Sequence, residues 1–257
     1  MDYVFQNTKD ETERHRLQAI EAIFDPSSRR RILAAGIKMG AVCLEVGAGA
    51  GSMMRWLAQQ VGPSGRVTAV DINPRFLTNP PSNVTVAVGD ARTLIFEPGS
   101  FDLIHARYVL VHIPEYEKVL NSLWKALKPG GALVIEEPDF TAYRGLSVAE
   151  VESFDKVHQA ILRMYKDKGV DPALGSKLPM LFQALGAKNL IIEKDSPPSP
   201  GGGALARMMG QSADLLKDKY LATGCVDLKD LAAYARFTQN PDSSALYYAT
   251  ISAVGFK

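Results

Sequence analysis

The sequence is poor in the residue types that build disulfide frameworks, metal sites and membrane anchors. Its 257 residues include two cysteines, Cys43 and Cys225, far apart in sequence, and four histidines without paired metal-ligand spacing. Neither a disulfide framework nor a cysteine-based metal site can be built from this set, and we expect no metal. No run approaches the roughly 20 apolar residues that a membrane span needs, and the charged N-terminus lacks the apolar core of a signal peptide. We therefore expect a cytoplasmic protein with no membrane partner.

An excess of charge of one sign is also missing. The 29 Lys and Arg residues balance 28 Asp and Glu residues, for a formal net charge of +1. No global field therefore favours nucleic acid or an acidic membrane, and we expect no nucleic-acid partner. The only basic run, Arg29-Arg30-Arg31, is too short for a tail, and we interpret it as a solvated helix face.

Short apolar segments alternate with helical segments from residue 41 onward. The first 40 residues read as helices, with Asp25-Pro26 predicted to end one and start the next, and a weak helix is predicted at Asn73-Pro74. Strands are predicted at 42–46, 66–70, 83–88, 101–105, 132–136, 189–193 and 246–254. Later helices are predicted at 115–127, 147–168, 177–185, 204–220 and 228–237, with a Pro/Gly loop at 196–203. Such alternation predicts an α/β fold with a mostly parallel, seven-stranded, doubly wound sheet.

A glycine loop joins the first of these strands to the helix that follows it. The segment Leu44-Glu45-Val46-Gly47-Ala48-Gly49-Ala50-Gly51-Ser52 places three glycines at alternate positions. Glycines let a backbone pass close under a ligand, and the strand-to-helix context makes a purely structural turn the weaker interpretation.

The loop departs from the dinucleotide fingerprint G-x-G-x-x-G. Counted from Gly47 and Gly49, the third glycine position is occupied by Ser52. Glu45 also places a carboxylate beside the loop, where it would repel a pyrophosphate and attract a cationic amino-acid group. Both features disfavour NAD, although an NAD-dependent oxidoreductase stays open as an alternative.

Two further carboxylates follow the second and third strands. Asp71 lies about 20 residues after the loop, where an acid binds ribose hydroxyls in NAD and S-adenosylmethionine (SAM) enzymes alike. Asp90, in Gly89-Asp90-Ala91, can accept a hydrogen bond from an adenine amino group or can cap a helix. These positions support a nucleoside without choosing between the two cofactors.

The motifs together resemble those of class I SAM-dependent methyltransferases. They read, in order, LEVGAGAGS, VTAVDI, VGDA, FDLIHARYVLVHIP and LKPGGALVIEEPD, and cover about residues 41–139. The resemblance implies that SAM is bound by Glu45, Gly47, Ala48, Gly49, Gly51 and Ser52, by Asp71 and Ile72, by Gly89, Asp90 and Ala91, and beside His105, Ala106 and Arg107. In that family the glycine loop holds the methionine part, the acid after the second strand the ribose, and the Asp after the third strand the adenine.

Methyl transfer from a sulfonium needs alignment more than a nucleophile, so catalytic residues are weakly marked in the sequence. His112 lies just beyond the fourth strand, and the intrinsic pKa of a histidine side chain suits a general base. Glu136 and Glu137 end the fifth strand on the rim where ligands bind in such sheets, and we single out Glu137 as the second catalytic candidate. Packing of His112 and solvation of the rim carboxylates are the alternative interpretations.

We predict one methyltransferase domain, 1–257, with N-terminal helices at 1–40 and a SAM-binding core at 41–139. Insertions at 140–176 and 197–243 follow strand ends at the ligand edge and should form a lid over a small-molecule acceptor. The resemblance to bacterial enzymes of secondary metabolism favours a metabolite as acceptor. A SAM-binding fold that transfers no methyl group is the third hypothesis.

Overall fold

The computed structural model describes residues 10–147 and 150–257. Within these ranges the chain divides into two compact units. The sheet unit comprises Phe24–Glu137, Gly175–Glu193 and Ile251–Lys257, and the helical unit comprises the described residues up to 23 with Pro138–Leu174 and Lys194–Thr250. Residues 1–9 of the predicted N-terminal helical segment, and residues 148–149 of the first predicted insertion, lie outside the described residues.

The elements follow one another along the chain in this order. The helices are α1 (Asp10–Ala34), α2 (Ser52–Val61), α3 (Tyr116–Ala126), α4 (Val151–Asp167), α5 (Leu174–Ala184), α6 (Ala204–Leu215), α7 (Lys217–Ala222) and α8 (Leu228–Gln239), with a short 3-10 helix at Leu110–His112. The strands are β1 (Val42–Val46), β2 (Arg66–Asp71), β3 (Val84–Val88), β4 (Phe101–Arg107), β5 (Leu127–Asp139), β6 (Arg144–Gly145), β7 (Lys188–Asp195), β8 (Ser199–Pro200), β9 (Ser244–Leu246) and β10 (Ala249–Phe256).

A seven-stranded sheet in the order β3-β2-β1-β4-β5-β10-β7 forms the centre of the fold. The strands β3, β2, β1, β4 and β5 pair in parallel. The predicted seven-stranded, mostly parallel α/β sheet is therefore confirmed. Because parallel strands end at one edge, the residues that follow β1, β2 and β4 come together there.

The central strands are mostly apolar because both faces of the sheet are covered. Cys43, Leu44 and Val46 of β1 and Ile104 of β4 are almost completely buried. Helix α2 buries one face of its own, with Met53, Met54, Leu57, Ala58 and Val61 in the core. A continuous apolar run in each strand and an amphipathic helix beside it are typical of parallel sheets.

The helical unit contains α4, α6, α7 and α8 and a three-stranded sheet in the order β6-β9-β8. Pairing in this sheet is antiparallel, with Arg144 opposite Leu246 and Ser199 opposite Ala245. Helix α8 begins with a capping box, in which the Asp227 side chain accepts from the backbone of Asp230 and the Asp230 side chain accepts from the Asp227 backbone. Each of these two contacts satisfies an N–H group that a helix start leaves without a partner inside the helix.

The break predicted at Asp25-Pro26 is wrong, because α1 continues through Pro26. Proline removes one backbone donor from the helix. The helix continues beyond it, and the hydroxyls of Ser27 and Ser28 donate to the Phe24 carbonyl. Phe24 and Ile32 are buried, so packing stabilises the helix on the C-terminal side of the proline. The solvated-face interpretation is wrong for Arg31, whose side chain is 2% exposed.

Other elements differ from their predictions in extent. The weak helix predicted at Asn73-Pro74 is a turn, closed by the Leu77 N–H donating to the Pro74 carbonyl. The helix predicted at 204–220 is interrupted at Leu216, and the final strand begins at Ala249 after the separate strand β9. The two-residue strands β6 and β8 were not predicted, since so short a segment carries no periodicity. No helix in 10–147 or 150–257 has the length and apolarity needed to cross a membrane.

Candidate functional site

The glycine loop is a tight backbone turn after β1. The N–H groups of Gly47 and Ala48 both donate to the carbonyl of Val70 on β2, at 2.8 and 3.2 Å. Gly47, Gly49 and Gly51 have φ of 71°, 57° and 94°. Side chains rarely adopt this left-handed region, so the alternate glycines are required by the backbone path.

Asp71 ties the glycine loop to the ends of the neighbouring strands. Its Oδ2 accepts the Gly49 N–H at 2.8 Å, and its Oδ1 accepts the Asn73 N–H at 2.8 Å. Its backbone carbonyl accepts the Gly89 N–H after β3. The structure thus brings together Gly49, Asp71 and Gly89, which the sequence predicted to share one nucleoside site.

The predicted adenine end of the site is half-exposed. Asp90 forms a salt bridge with Arg92, through both Nε and Nη2, and also accepts the Arg92 backbone N–H. The hydrogen bond from Arg92 holds the pKa of Asp90 below its usual range. Ile72 is 54% exposed beside Asp71, and Ala91 is half-buried. An apolar side chain with exposed surface beside a carboxylate is a suitable surface for a purine base.

A series of buried, hydrogen-bonded charged side chains joins β1, β4, β5 and α1. His105 on β4 lies beside Glu45 on β1, and its Nδ1 is 2.8 Å from Glu45 Oε2. Its Nε2 is 3.3 Å from Glu136 Oε1 on β5. Glu136 Oε2 in turn accepts from Arg31 Nη1 at 3.0 Å. All four side chains are almost fully buried.

The buried charges shift one another's protonation. Burial by itself lowers the pKa of His105, but the charges of Glu45 and Glu136 and the hydrogen bonds to both outweigh it and raise the pKa to about 9. Burial opposes ionisation of Glu136, yet the hydrogen bond and charge of His105, with Arg107 and Arg31, hold its pKa below its usual value. Two carboxylates beside one imidazole therefore favour its protonated form.

Arg107 and Ala106, predicted to lie beside the donor, are held by other contacts. The Arg107 guanidinium donates to Asp25 Oδ1 at 2.9 Å and to Ser28 Oγ at 2.8 Å, both on α1, and its side chain is 8% exposed. Ala106 has no exposed surface. Tyr108 follows with φ 57°, and its ring packs edge-on against Phe24. A non-glycine residue in this conformation marks a turn that its surroundings hold in place.

Glu137 holds the turn after β4. Its Oε1 accepts the N–H groups of Val109 and Leu110, at 3.1 and 2.8 Å, and its Oε2 accepts the Val111 N–H at 3.2 Å. Burial raises the pKa of Glu137 to about 8, against the lowering effect of the three N–H groups. These contacts give Glu137 a structural task, and its predicted catalytic role stays a prediction.

His112 ends the 3-10 helix that Glu137 holds. It is half-buried, and its backbone N–H donates to the Val109 carbonyl at 3.1 Å. Its role as a general base stays a prediction. Among the described residues, no group of three or more His, Cys, Asp or Glu side chains could hold a metal ion.

The sequence reasoning missed Arg31 and Asp25, which hold residues at the ends of β5 and β4. A usable signal existed, because Glu45, His105 and Glu136 interrupt otherwise apolar strands. Charged residues in such positions are rarely buried without partners. The partners on α1 carry no such signal in the sequence.

The residues at this edge fit a nucleoside with a cationic amino-acid group. Ala48 is buried in the loop, and Ser52 begins α2 after Gly51 in the left-handed region. A Cβ added at Gly47 would lie 2.3 Å from Val109 Cγ2, so the loop has no room for side chains there. The buried Glu45 carboxylate and the Asp71 carboxylate supply acceptors for an amine and for hydroxyls respectively.

The fold and this site define a Rossmann-like protein that binds a nucleoside cofactor. Residues 44–135 match the family model described as Methyltransferase domain. The chain carries a class I SAM-dependent methyltransferase domain, and SAM is the cofactor of such domains.

Two curated proteins illustrate the relationship. Methyltransferase str3 of Strobilurus tenacellus is 31% identical over 178 residues, which cover 66% of this chain and 63% of that protein. A Staphylococcus aureus demethylmenaquinone methyltransferase is 34% identical over 116 residues, covering 42% of this chain and 48% of that protein. The chain thus spans less than two thirds of the length of these curated relatives.

The fold is shared with a solved structure of lower identity. Haemonchus contortus phosphoethanolamine N-methyltransferase 2, in complex with S-adenosylhomocysteine, matches with a TM-score of 0.60 at 20% identity. The match covers 94% of this chain and 56% of that chain. The likeness extends beyond the residues of the family model, because it spans nearly the whole chain.

Replacing Gly47 by alanine should prevent the glycine loop from closing. The new Cβ would clash with Val109, and the φ of 71° adds backbone strain. We therefore expect the free energy of unfolding to fall by roughly 3 kcal/mol, and S-adenosylhomocysteine binding to be lost. Gly99→Ala is the matched control, because Gly99 has φ 68° but nothing within 4 Å of the added Cβ. Thermal unfolding and calorimetric titration measure both effects. Equal losses in the two variants would contradict the contact with Val109.

Proposed function

We propose that this chain transfers the methyl group of SAM to a small-molecule acceptor. The observation that carries the proposal is the assembled edge of the sheet, where Asp71 bonds the glycine loop and Glu45 lies buried at the end of β1. SAM supplies a methyl group activated by a cationic sulfur. The chain's own residues bind and orient it.

We assign the cofactor-binding residues by position. Glu45 would accept from the cationic amino group of the methionine part, above the loop of Gly47, Gly49 and Gly51. Asp71 would accept from the ribose hydroxyls, since its carboxylate already lies at the loop. Asp90 would accept a hydrogen bond from the adenine amino group, either beside its salt bridge with Arg92 or after that salt bridge opens. Ile72 would pack against the base.

A small-molecule acceptor is supported by charge and by the relatives. The net charge of +1 provides no field for a polyanion. One relative bears the name of a demethylmenaquinone methyltransferase, and menaquinones are small molecules. His112 is the proposed general base, on the turn that Glu137 holds. The proposal that 140–176 and 197–243 form a lid over the acceptor rests on their position in the sequence.

The proposal is tested by turnover with methyl-deuterated SAM. The purified chain is incubated with panels of small hydroxyl, amino and activated-carbon compounds, and the products are analysed by mass spectrometry. We expect S-adenosylhomocysteine formation that depends on one class of acceptor, together with a product carrying the labelled methyl group. Tight S-adenosylhomocysteine binding without labelled product from any panel would favour a SAM-binding protein that transfers no methyl group.

A further inference from the structure

Both ring nitrogens of His105 face carboxylate oxygens. Nδ1 is 2.8 Å from Glu45 Oε2, and Nε2 is 3.3 Å from Glu136 Oε1. A neutral imidazole has one donor and one acceptor nitrogen, so its acceptor would face the lone pairs of an anion. If both carboxylates are ionised, hydrogen bonds to both of them require a proton on each ring nitrogen. A neutral histidine carries only one of these two protons.

The surroundings place that proton on the imidazole. Glu136 also accepts from Arg31, which stabilises its ionised form. Arg31 is held in turn by Glu193, at 2.9 Å, and Glu193 by Arg30 at the exposed end. With His105 as a cation, the six side chains alternate in sign from the surface to Glu45, and each is hydrogen-bonded within the series to partners of opposite sign.

Other charged or titratable groups near this cluster do not disturb the assignment. The positive charge of Arg107, at the end of β4, acts on Glu136 and favours its ionised form. The thiol of Cys43, on the same strand as Glu45, stays protonated because burial and nearby carboxylates raise its pKa to about 12. Glu137 follows Glu136 but bonds the turn after β4. The groups that face His105 itself are Glu45 and Glu136.

The series of alternating charges ends at Glu45, the residue that we assign to the methionine part of the cofactor. The Glu45 side chain is 3% exposed, and its Oε2 lies 2.8 Å from the His105 ring. The hydrogen bond from His105 uses Oε2, which leaves Oε1 as the second acceptor oxygen of the same carboxylate. The imidazole thus fixes the direction of the Glu45 carboxylate.

We propose that His105 is a positioning residue of the cofactor site, whose imidazolium holds the Glu45 carboxylate by a hydrogen bond in the orientation that receives the cationic amino group of SAM. This inference rests on the assignment of Glu45 made under the proposed function. It concerns the amino-acid end of the cofactor only, since Asp71 and Asp90 lie at the nucleoside end.

The first test measures the protonation of the ring in the full chain, by NMR of protein labelled with nitrogen-15 histidine. The His105 signal is the one lost in His105→Gln, and the exposed His15, identified with His15→Gln, is the reference. We expect two protonated ring nitrogens at neutral pH and a pKa near 9. A neutral His105 ring at neutral pH would overturn the proposal.

The second test compares two ligands that differ only at the amino-acid end. S-adenosylhomocysteine carries the amino group, whereas 5′-methylthioadenosine lacks both the amino group and the carboxylate. Calorimetric titration of His105→Gln should show affinity for S-adenosylhomocysteine lowered about tenfold or more, with affinity for methylthioadenosine unchanged within about twofold. A merely structural role would weaken both ligands alike, and that result would overturn the proposal.

Glu45→Gln separates this inference from the function on which it rests. We expect Glu45→Gln to lose affinity selectively as His105→Gln does, and the double variant to lose little more, because the two residues act as one unit. Unchanged S-adenosylhomocysteine affinity in Glu45→Gln would refute the assignment of Glu45. Loss in Glu45→Gln with none in His105→Gln would refute the positioning role alone. His15→Gln should bind both ligands as the unsubstituted chain does.

A measurement that does not need a folded His105→Gln protein completes the test. In Glu45→Gln the imidazolium loses one of its two anions, so the pKa of His105 should fall measurably. An unchanged pKa in that variant would show that Glu45 and His105 are not coupled, and would overturn the proposal.

Discussion

Asp71→Ala should lower the affinity for S-adenosylhomocysteine about a hundredfold, because two charge-assisted hydrogen bonds to the ribose are worth roughly 3 kcal/mol together. The same change removes the acceptor for the Gly49 N–H, so the glycine loop loses one of its hydrogen bonds to the end of β2. Asp71→Asn keeps one oxygen acceptor and should lose less. Calorimetric titration measures all three proteins.

Asp102→Ala is the matched control for this prediction. Asp102 also accepts a backbone N–H, that of Val42 at 2.8 Å, and pairs with Lys128. It lies on β4 near the opposite end of the parallel strands. We expect Asp102→Ala to alter stability and to leave cofactor affinity near that of the unsubstituted chain. Retained affinity in Asp71→Ala would contradict the ribose assignment.

Glu137→Leu should destabilise the fold by roughly 3 kcal/mol, because three backbone N–H groups lose their acceptors. The substitution also removes the free-energy cost of burying a carboxyl group, which offsets part of the loss. Urea unfolding followed by circular dichroism measures the change. Glu117→Leu, at an exposed position on α3, is the control and should change stability by less than about 0.5 kcal/mol.

The pH dependence of the Glu137→Gln variant checks the same assignment. The pKa of Glu137 is raised to about 8 by burial, so the unfolded chain binds fewer protons than the folded one above the usual carboxyl range. Stability from this group is therefore full at low pH and is lost as pH rises toward 8. Glu137→Gln does not lose stability in this way. The difference in free energy of unfolding between the unsubstituted chain and the variant should therefore shrink as the pH rises toward 8. A constant difference would contradict the raised pKa.

The cofactor half of the site could be predicted because it is local in sequence. Gly47, Gly49 and Gly51 form one turn, and Asp71 ends the next strand, so strand order alone brings them together. Parallel pairing of β1 with β2 then places Asp71 at the loop. Backbone requirements of this kind leave glycines and acids at fixed spacing, which a single sequence can show.

The buried charges could not be predicted because they are far apart in sequence. Arg31, Glu45, His105 and Glu136 come from one helix and three strands, and only the sheet order makes them neighbours. The sequence marks Glu137 only as a catalytic candidate, since side-chain alternation cannot tell a rim carboxylate from one that binds backbone groups. The backbone N–H groups that Glu137 binds belong to the turn after β4, whose path the sequence alone does not show.

Pro26 shows why local rules failed for α1. A proline inside a helix costs stability by itself, and that rule predicts a break. The buried residues Phe24, Arg31 and Ile32 on the helix provide contacts that outweigh the cost. Packing of this kind depends on the sheet against which the helix lies. The residues of that sheet are far from positions 20–34, so the local sequence does not reveal them.

The most direct test of the account is calorimetric titration of the purified chain with S-adenosylhomocysteine and, separately, with NAD. We predict tight binding of S-adenosylhomocysteine and no binding of NAD, because Glu45 and Ser52 suit a cationic amino-acid group and not a pyrophosphate. Binding of NAD without binding of S-adenosylhomocysteine would contradict the account and would favour an oxidoreductase.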